Sequence, residues 1–389
     1  MWGAAAYGRS VKVAGATLSA ILLLAGTPGL MHAAIHSGDA NGDGDVTAAD
    51  VDGLVRELFD GDGDATTAVG TGTFAGAAGA DSNDDGRVTA ADLALMPPLV
   101  LAPFWEPLTD VPGPRQETGT AELDGRIYLL GGLDELQNTV RTVEYYDVAA
   151  DRWVEVAPLP EPLHHVVAAT AGGRVYALGG LRAGFAADDS VYAYDPAANQ
   201  WQQRASLPAP RGAGAAAVVG GLIYVAGGLR AGSVDDFAVY DPQANQWTPL
   251  RAMPTARDHL GAVAIDGLVY AVGGRAGTLF DALEVFDPDT GEWRTDLAPM
   301  PTARGGLAVT ALRGRLFALG GEGNSARPSG VFSHVEAYDP ESNTWDTLPD
   351  MLTPRHGMGA AAVRGRIVVP GGATAQGFRA SDANETLWP

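Results

Sequence analysis

The stretch LIYVAGGLRAGSVDDFAVYDPQANQW, residues 222–247, contains the pattern that decides the fold. It has an apolar segment closed by a Gly-Gly pair, a second apolar segment closed by Tyr-Asp-Pro, and a Trp. Both apolar segments have the length and residue types of β-strands, and glycine and proline mark the turns between them. A run of small apolar residues, 212–219, precedes the stretch, so one repeat predicts four short strands.

The same pattern occurs six times, at a period of about 48 residues that is typical of propeller blades. The Gly-Gly pairs are Gly131-Gly132, Gly179-Gly180, Gly227-Gly228, Gly273-Gly274, Gly320-Gly321 and Gly371-Gly372. The tryptophans are Trp105, Trp153, Trp201, Trp247, Trp293 and Trp345. The last repeat lacks its outer strand, whereas Phe104–Leu108 is an outer strand without a repeat before it. We therefore predict that these two segments share one sheet and close a ring of six blades.

Residues 104–389 resemble the Kelch family in the Gly-Gly and Trp marks of the six repeats and in the aromatic-Asp-Pro mark that four of them carry. The resemblance implies an all-β, six-bladed Kelch β-propeller with N-to-C strand closure, which we assign to residues 99–389. The aspartates of the Asp-Pro pairs are expected to cap turns, because they recur in nearly every blade.

In Kelch propellers the start of the inner strand lies at the mouth of the central channel. An arginine recurs just before this point, and only Leu163 breaks the set. Four of the five propeller histidines follow it, near Asp258 and Glu117. The candidate ligand-binding residues are Arg115, Gln116, His164, His165, Arg211, Arg257, Asp258, His259, Arg304, Arg355 and His356. They fit an anion or sugar site or, alternatively, turn hydrogen bonds and blade packing; metal binding by His164, His259 and His356 is left open.

An acidic segment precedes the propeller: residues 39–92 contain 13 acidic and 2 basic residues. Two similar passages within it, 39–50 and 81–92, have oxygen ligands at loop positions 1, 3, 5 and 12 and glycine at position 6, which is the pattern of a calcium loop. Position 7 would add a backbone carbonyl. The predicted ligands for two Ca²⁺ ions are Asp39, Asn41, Asp43, Asp45, Asp50, Asp81, Asn83, Asp85, Arg87 and Asp92.

Each loop ends in Asp and is followed by a short apolar helix, and this pattern resembles a type I dockerin. The resemblance implies a small α-helical module, assigned to residues 35–98, that docks onto a cohesin-like or cell-surface protein. The docking positions would be Ala48, Ala49, Ala90 and Ala91. A Gly/Ala-rich insert ending at Ala80 is read as linker, and Pro97-Pro98 end the second helix early.

Arg9 and Lys12, followed by the apolar run 13–26, have the features of a secretory signal, so residues 1–34 are predicted to be a signal peptide. No membrane span is expected after its cleavage. The chain has no cysteine and a net charge of −22, which argues against thiol chemistry and against nucleic acid as a partner.

The sequence favours a secreted, calcium-binding, non-catalytic protein, extracellular or at the cell surface, whose propeller holds a carbohydrate or protein ligand. The alternative is a carbohydrate-active enzyme on the same fold in polysaccharide catabolism: a lyase, a sialic-acid epimerase or a glycoside hydrolase-associated protein. Galactose oxidase, a Kelch-bearing enzyme, uses a cysteine-linked tyrosine, so its copper radical chemistry is disfavoured in a chain without cysteine.

Overall fold

The computed structural model describes residues 103–389, together with two short strands, β1 (Lys12–Val13) and β2 (Ala16–Thr17), which pair antiparallel. The chain divides into two units, Met1–Ala102 and Pro103–Pro389. The predicted signal peptide and calcium module fall outside the described residues, apart from β1 and β2. In the part of the chain that is described, no helix has the length and apolar character needed to cross a membrane.

The unit Pro103–Pro389 contains six four-stranded antiparallel sheets, the blades of a propeller. The first strand, β3 (Phe104–Pro107), belongs to the last blade, and β4 (Arg115–Gln116) pairs with β7 (Leu133–Asp134) beside blade 1. Blade 1 consists of β5 (Gly119–Leu123), β6 (Arg126–Leu130), β8 (Val143–Asp147) and β9 (Arg152–Glu155). Blade 2 consists of β10 (Val167–Ala171), β11 (Arg174–Arg182), β12 (Ala186–Asp195) and β13 (Gln200–Arg204), with a 3₁₀ turn at Ala183–Phe185.

The remaining blades have the same order of strands from the inside outward. Blade 3 consists of β14 (Ala215–Val219), β15 (Leu222–Ala226), β16 (Phe237–Asp241) and β17 (Gln246–Pro249). Blade 4 consists of β18 (Gly261–Ile265), β19 (Leu268–Val272), β20 (Leu283–Asp287) and β21 (Glu292–Arg294). Blade 5 consists of β22 (Ala308–Leu312), β23 (Arg315–Leu319), β24 (Val335–Asp339) and β25 (Thr344–Leu348). Blade 6 consists of β26 (Ala361–Val363), β27 (Arg366–Pro370), β28 (Asn384–Trp388) and β3.

The last blade closes the ring with a strand from the other end of the propeller. β28 pairs antiparallel with β3, so that Trp388 stands opposite Phe104 and Leu387 opposite Trp105. The rings of Phe104 and Trp388 stack with their centroids 6.3 Å apart. The sheet edge that β28 would expose is therefore covered. The prediction of six blades is confirmed.

The two inner strands of every blade are joined by a two-residue turn in which both residues have positive φ. This is the type I′ hairpin, whose twist matches that of the strands. The turns are Asp124-Gly125, Gly172-Gly173, Gly220-Gly221, Asp266-Gly267, Arg313-Gly314 and Arg364-Gly365. Glycine or aspartate suits most of these positions, whereas Arg313 and Arg364 hold the left-handed conformation with a long side chain.

Neighbouring blades pack through aromatic side chains and through a hydrogen bond from each Trp. Tyr194 of blade 2 lies 5.8 Å from Tyr128 of blade 1 and 5.2 Å from Trp201, measured between ring centroids. Trp201 Nε1 donates to the carbonyl of Ala157, 2.8 Å away in the preceding connection. Trp105, Trp153, Trp247, Trp293 and Trp345 make the corresponding bond, at 2.9–3.1 Å. The repeated Trp thus joins each blade to its neighbour.

The Gly-Gly pairs form a second set of bonds between blades. Gly228 N donates to the carbonyl of Arg257 in the next blade at 3.0 Å, and the φ values of Gly227 and Gly228 are 60° and 120°. A Cβ on Gly227 would lie 2.6 Å from the Arg257 carbonyl oxygen, so a side chain does not fit there. The aspartates that end the third strands, Asp147, Asp195, Asp241, Asp287 and Asp339, accept hydrogen bonds from amides two residues further on and cap turns as predicted.

Candidate functional site

One residue from each blade forms a ring around the propeller axis. These residues are Glu117, His165, Ala213, His259, Gly306 and Gly357, and all of them have φ between 52° and 62°. The amide of each donates a hydrogen bond of 2.6–2.9 Å to the carbonyl of the equivalent residue in the preceding blade, with Glu117 donating to Gly357. The six bonds make a closed circle, which we call the axial ring. Its residues line a cavity of about 90 Å³.

Three side chains of the axial ring converge in this cavity. His165 Nε2 lies 3.1 Å from His259 Nε2 and 3.2 Å from Glu117 Oε2, and one atom from each of the three side chains lies within 4.8 Å of the others. All three side chains are buried. The other three residues of the ring, Ala213 between the two histidines and Gly306 and Gly357 between His259 and Glu117, have small side chains or none, which leaves space in the cavity.

A second layer of polar groups orients the two imidazoles. His259 Nδ1 donates to Asp258 Oδ1 at 2.5 Å, and Asp258 Oδ2 accepts from Ser233 Oγ at 2.5 Å. His165 Nδ1 lies 2.5 Å from His164 Nδ1, whose ring Nε2 faces the carbonyl of Arg182 at 3.2 Å. The rings of His165 and His259 are therefore fixed with their Nε2 atoms toward each other and toward Glu117.

The electrostatic surroundings keep Glu117 ionised and His165 neutral. Burial raises the pKa of the Glu117 carboxyl, but the histidines facing it and Arg275 outweigh this effect, and the pKa falls to about 2. Burial lowers the pKa of His165 to about 3, although Glu117 attracts its proton. Burial also lowers the pKa of His164. At neutral pH the Glu117 carboxylate thus lies beside a neutral His165 imidazole.

Arg275 and Glu322 also belong to this site, and the sequence analysis missed them. Arg275 Nη2 lies 3.1 Å from His259 Nε2, Arg275 Nε lies 3.3 Å from Asp258 Oδ1, and Arg275 Nη1 forms an ion pair with Glu322. The sequence does mark these two residues, because each directly follows a Gly-Gly pair, at a position where the other blades have leucine or alanine. That position pairs with the residue just before the axial ring, as Arg275 does with Asp258.

The five recurring arginines are placed inside the blades. Arg115, Arg211, Arg257, Arg304 and Arg355 are at most 4% exposed. Four pair with a glutamate on the third strand of their own blade, in the pairs Arg115–Glu144, Arg257–Glu284, Arg304–Glu336 and Arg355–Glu385, while Arg211 pairs with Asp236. They also donate to backbone carbonyls. Their guanidinium groups are thus bonded and buried inside the blades, and these arginines are not among the residues that line the axial cavity.

Blade 2 differs from the other blades in two linked ways. Leu163 replaces the arginine, and Tyr192 occupies the third-strand position at which four other blades have glutamate; both pack in one hydrophobic cluster. The hairpin of this blade is also longer, because β11 and β12 continue to Arg182 and from Ala186. This extension carries Phe185, whose φ is 64°, toward the mouth of the axis.

A cleft of about 520 Å³ lies at this mouth, beside the long hairpin. Phe185 and Phe378, which are 46% and 47% exposed, border it with their ring centroids 6.5 Å apart. His164 meets the Phe185 ring edge-on at 4.9 Å. Arg182 also lines the cleft, and its guanidinium pairs with Glu161 and Asp188.

Gln116 and His356 support the loop that carries Phe378. Gln116 Nε2 donates to the carbonyl of Gly377 at 2.7 Å, and its Oε1 accepts from the amide of Arg379 at 2.9 Å. His356 Nε2 lies 2.9 Å from the carbonyl of Ala375. The three histidines suggested as metal ligands do not face one common point. His164 and His356 each direct a ring nitrogen at a backbone carbonyl, whereas His259 faces His165 and Glu117. The predicted calcium ligands and docking alanines lie outside the described residues.

Six four-stranded blades, a Trp and a Gly-Gly pair in the repeat, and a polar site on the axis define a Kelch-type propeller. Residues 104–274 and 204–321 match the KLHDC2/KLHL20/DRC7 Kelch-repeats domain, and residues 303–352 match the Kelch motif. The chain belongs to the Kelch-repeat family. Residues 37–101 match the dockerin type I domain. Both resemblances seen in the sequence are thereby confirmed.

Among known proteins, the chain is similar to the Kelch-like protein terF of Aspergillus terreus, with 38% identity over 68 residues. That match covers 18% of this chain and spans only 15% of the relative's length. The solved structure of YjhT superposes with a TM-score of 0.60 at 18% identity, over 71% of this chain and 95% of that chain. This second similarity shows the shared fold.

Proposed function

We propose that this protein is an extracellular, non-catalytic binding protein with two working parts. A signal peptide in residues 1–34 would direct export, and the module in residues 35–98 would bind two Ca²⁺ ions and dock onto a cohesin-like or cell-surface partner. The propeller would bind a ligand at its axial mouth. The dockerin type I match supports the docking role, because dockerins are partner-binding modules.

The exposed pair Phe185 and Phe378, beside a cleft of about 520 Å³, supports a glycan as the propeller ligand. Ligand clefts of this size combine aromatic walls with a few placed polar groups, and an aromatic face packs well against the apolar face of a sugar ring. Here the polar groups are an imidazole, a guanidinium and two side-chain amides, Gln137 and Asn138.

The charge of the cleft favours a neutral glycan over an acidic one. Arg182 is the guanidinium that lines it, and this group is already paired with Glu161 and Asp188. Burial keeps His164 neutral by lowering its pKa. Both groups retain the capacity to contact hydroxyl groups, but neither offers an unbalanced positive charge to a carboxylate.

One observation favours the second candidate, an enzyme that acts on carbohydrate. The buried groups Glu117, His165 and His259 meet in a cavity on the same axis as the cleft. Clusters of titratable groups in cavities are common at active sites. The experiment on the propeller therefore measures product formation as well as binding.

The propeller proposal is tested by incubating the full chain, with calcium, against an array of neutral and acidic glycans while recording retention and product masses. We expect neutral glycans to be retained, and Phe185→Ala and Phe378→Ala to weaken retention at least about tenfold. Leu352→Ala removes another exposed apolar side chain, outside the cleft, and should have no effect. Retention that survives both Phe substitutions would contradict the proposal, and turnover would favour the enzyme.

The calcium proposal is tested on the full chain by equilibrium dialysis after removal of bound cations. We expect two Ca²⁺ ions per chain, and loss of one ion in each of Asp39→Asn and Asp81→Asn, since each substitution removes the first ligand of one loop. Asp64 lies in the insert between the loops, so the Asp64→Asn variant should still bind two Ca²⁺ ions. Unchanged uptake in all three variants would place calcium elsewhere.

A further inference from the structure

We propose that Glu117, His165 and His259 form a binding site for a divalent transition-metal ion, with Zn²⁺ as the best fit, on the axis of the propeller. This site would be separate from the two calcium loops and does not depend on the glycan proposal. Two imidazoles and one carboxylate are a ligand set that zinc takes when it keeps a further position open. Calcium fits poorly, because it prefers oxygen ligands.

The distances agree with such an ion. Ligand atoms about 2.0–2.2 Å from a tetrahedral zinc lie about 3.3–3.5 Å from one another. His165 Nε2 lies 3.1 Å from His259 Nε2 and 3.2 Å from Glu117 Oε2, and all three ligand atoms lie within 4.8 Å of one another. Small shifts of side chains would bring each ligand atom to bonding distance.

The hydrogen bonds around the cluster turn lone pairs inward. The carbonyl of Arg182 only accepts, so the proton of neutral His164 lies on Nε2 and its Nδ1 accepts from His165 Nδ1. Asp258 likewise holds the proton of His259 on Nδ1. Both Nε2 atoms then present lone pairs to each other and to the Glu117 carboxylate. Metal-ligating histidines are oriented in this way, through their second nitrogen.

A further buried nitrogen, His356 Nδ1, lies near the same carboxylates. His356 is 1% exposed, and its Nδ1 has no hydrogen-bond partner among the described residues. It faces Glu117 Oε1 at 3.6 Å and Glu322 Oε2 at 3.8 Å. Its Nε2 is directed at the carbonyl of Ala375. His356 Nδ1 thus lies beside two carboxylates, beyond hydrogen-bond distance of both, and a bound cation and its water would fit between these groups.

The charges around the cavity also favour a dication. Glu117, Asp258 and Glu322 bring three carboxylates, and Arg275 pairs with the latter two. The three carboxylates and the one guanidinium together carry two net negative charges. Arg275 also donates to His259 Nε2 at 3.1 Å and would have to move aside; its side chain is 34% exposed, so it has room to do so. The cavity of about 90 Å³, bordered by Ala213, Gly306 and Gly357, leaves space for water or a ligand atom on the metal.

The test uses the full chain, freed of metals and then saturated with Ca²⁺ so that the calcium loops are occupied. Zn²⁺ is titrated by calorimetry, and Co²⁺ is added as a spectroscopic probe. We expect one equivalent of each at micromolar affinity or tighter, with the visible absorption of Co²⁺ bound by nitrogen and oxygen. Glu117→Gln, His165→Gln and His259→Gln should each weaken binding at least about 100-fold, and Asp258→Asn about 10–100-fold. His334→Gln, the propeller histidine outside the site, should bind as wild type.

One variant distinguishes a metal-binding site from a cluster that only stabilises the fold. Arg275→Gln removes a positive charge next to a proposed ligand, so metal affinity should rise by about tenfold or more. X-ray absorption of the wild-type zinc complex gives a readout that no variant's folding affects, and should show two imidazoles. The proposal is overturned if the wild-type chain takes up no Zn²⁺ or Co²⁺ beyond its calcium sites, if the three ligand variants bind normally, or if the absorption spectrum shows no imidazole.

Discussion

At the scale of single residues, the buried arginines show how a repeated charge can serve the scaffold. Arg257 is fully buried, lies 3.0 Å from Glu284, and donates to the carbonyls of Ala271 and Ala282. A buried ion pair contributes little net stability, but removing one partner leaves an uncompensated charge in the core. The arginine and the glutamate are therefore expected to occur together or not at all. In blade 2 both are replaced, the arginine by Leu163 and the glutamate by Tyr192.

This comparison gives a prediction at residue scale. Arg257→Leu should lower the free energy of unfolding by about 3–5 kcal/mol, because Glu284 stays buried without its partner. Adding Glu284→Tyr reproduces the combination of blade 2, and we expect it to restore the stability to within about 2 kcal/mol of wild type. The measurement is a double-mutant cycle by denaturant unfolding. A double variant less stable than the single one would mean that the pair does not act as a unit.

The residue scale also shows where sequence reasoning reached the site and where it failed. The phase of the repeat identified the positions that surround the axis, and those positions bring together Glu117, His165 and His259. The phase of the repeat does not give the direction of a side chain. Arg257 and the equivalent arginines were therefore predicted to line the channel mouth, whereas their side chains enter the blades. Sequence reasoning also passed over Arg275 and Glu322, because the sequence does not show that the position after each Gly-Gly pair lies beside the residue that precedes the axial ring.

At the scale of elements, the turns between the two inner strands of each blade show which residues favour the hairpin. Two of the six turns have an unfavourable residue at their first position. In four blades the turn is Gly-Gly or Asp-Gly, which are residue pairs that favour this hairpin. Arg313 and Arg364 hold the same left-handed conformation with φ of 51° and 48°. A side chain in this conformation costs about 1–2 kcal/mol, unless it is Asn or Asp, which tolerate it better.

Arg364→Asn should therefore stabilise the propeller. We expect a gain of about 0.5–1 kcal/mol, which raises the melting temperature by about 1–4 °C for a domain of this size. Asp266→Asn is the matched control, since Asp266 stands at the same turn position with φ of 50° and is already well suited to it. Thermal unfolding of the three proteins decides the matter, and a melting temperature that falls in Arg364→Asn would contradict the account of the turn.

The long hairpin of blade 2 is the element that the sequence did not reveal. Its strands continue past the Gly-Gly pair, where the other blades turn away, and the 3₁₀ turn at Ala183–Phe185 projects over the mouth. The spacing of the repeat is unchanged by this extension, because the extra paired residues are taken from the connecting loop. The period of the repeat therefore does not reveal the longer hairpin, and the position of Phe185 at the mouth could not be predicted from it.

At the scale of the whole molecule, one strand decides whether the ring is closed. β3 pairs with β28 over four residues, and Trp105 Nε1 donates to the carbonyl of Pro349 in blade 5. The closure followed from counting strands: an outer strand was in excess before the first repeat and missing from the last. Blade number was predictable for the same reason, whereas the width of the axial cavity was not, because it depends on the bonds between blades.

Deletion of Phe104–Pro107 should open the ring. We expect the melting temperature to fall by on the order of 10 °C, at about 2–4 °C per kcal/mol, because the edge of β28 and part of the core lose their cover. Deletion of residues 70–73, in the segment before the propeller, shortens the chain equally and should leave the propeller transition in place. Equal melting temperatures for the two deletions would show that β3 is dispensable.

The closed circle of backbone bonds at the axis has a consequence for which substitutions this chain can accept. Each blade contributes one position at the same radius and with the same backbone geometry, so a single codon alters one wall of the cavity and leaves the scaffold intact. Gly306 has space for a side chain, since a Cβ there would lie 3.5 Å from its nearest neighbours, but its φ of 62° would strain the new residue. Gly357 has no such space, because its Cβ would lie 2.5 Å from Glu117 Oε1. The side chains of the axial ring can thus differ from blade to blade, and Glu117 requires that the position beside it, Gly357, stays without a side chain.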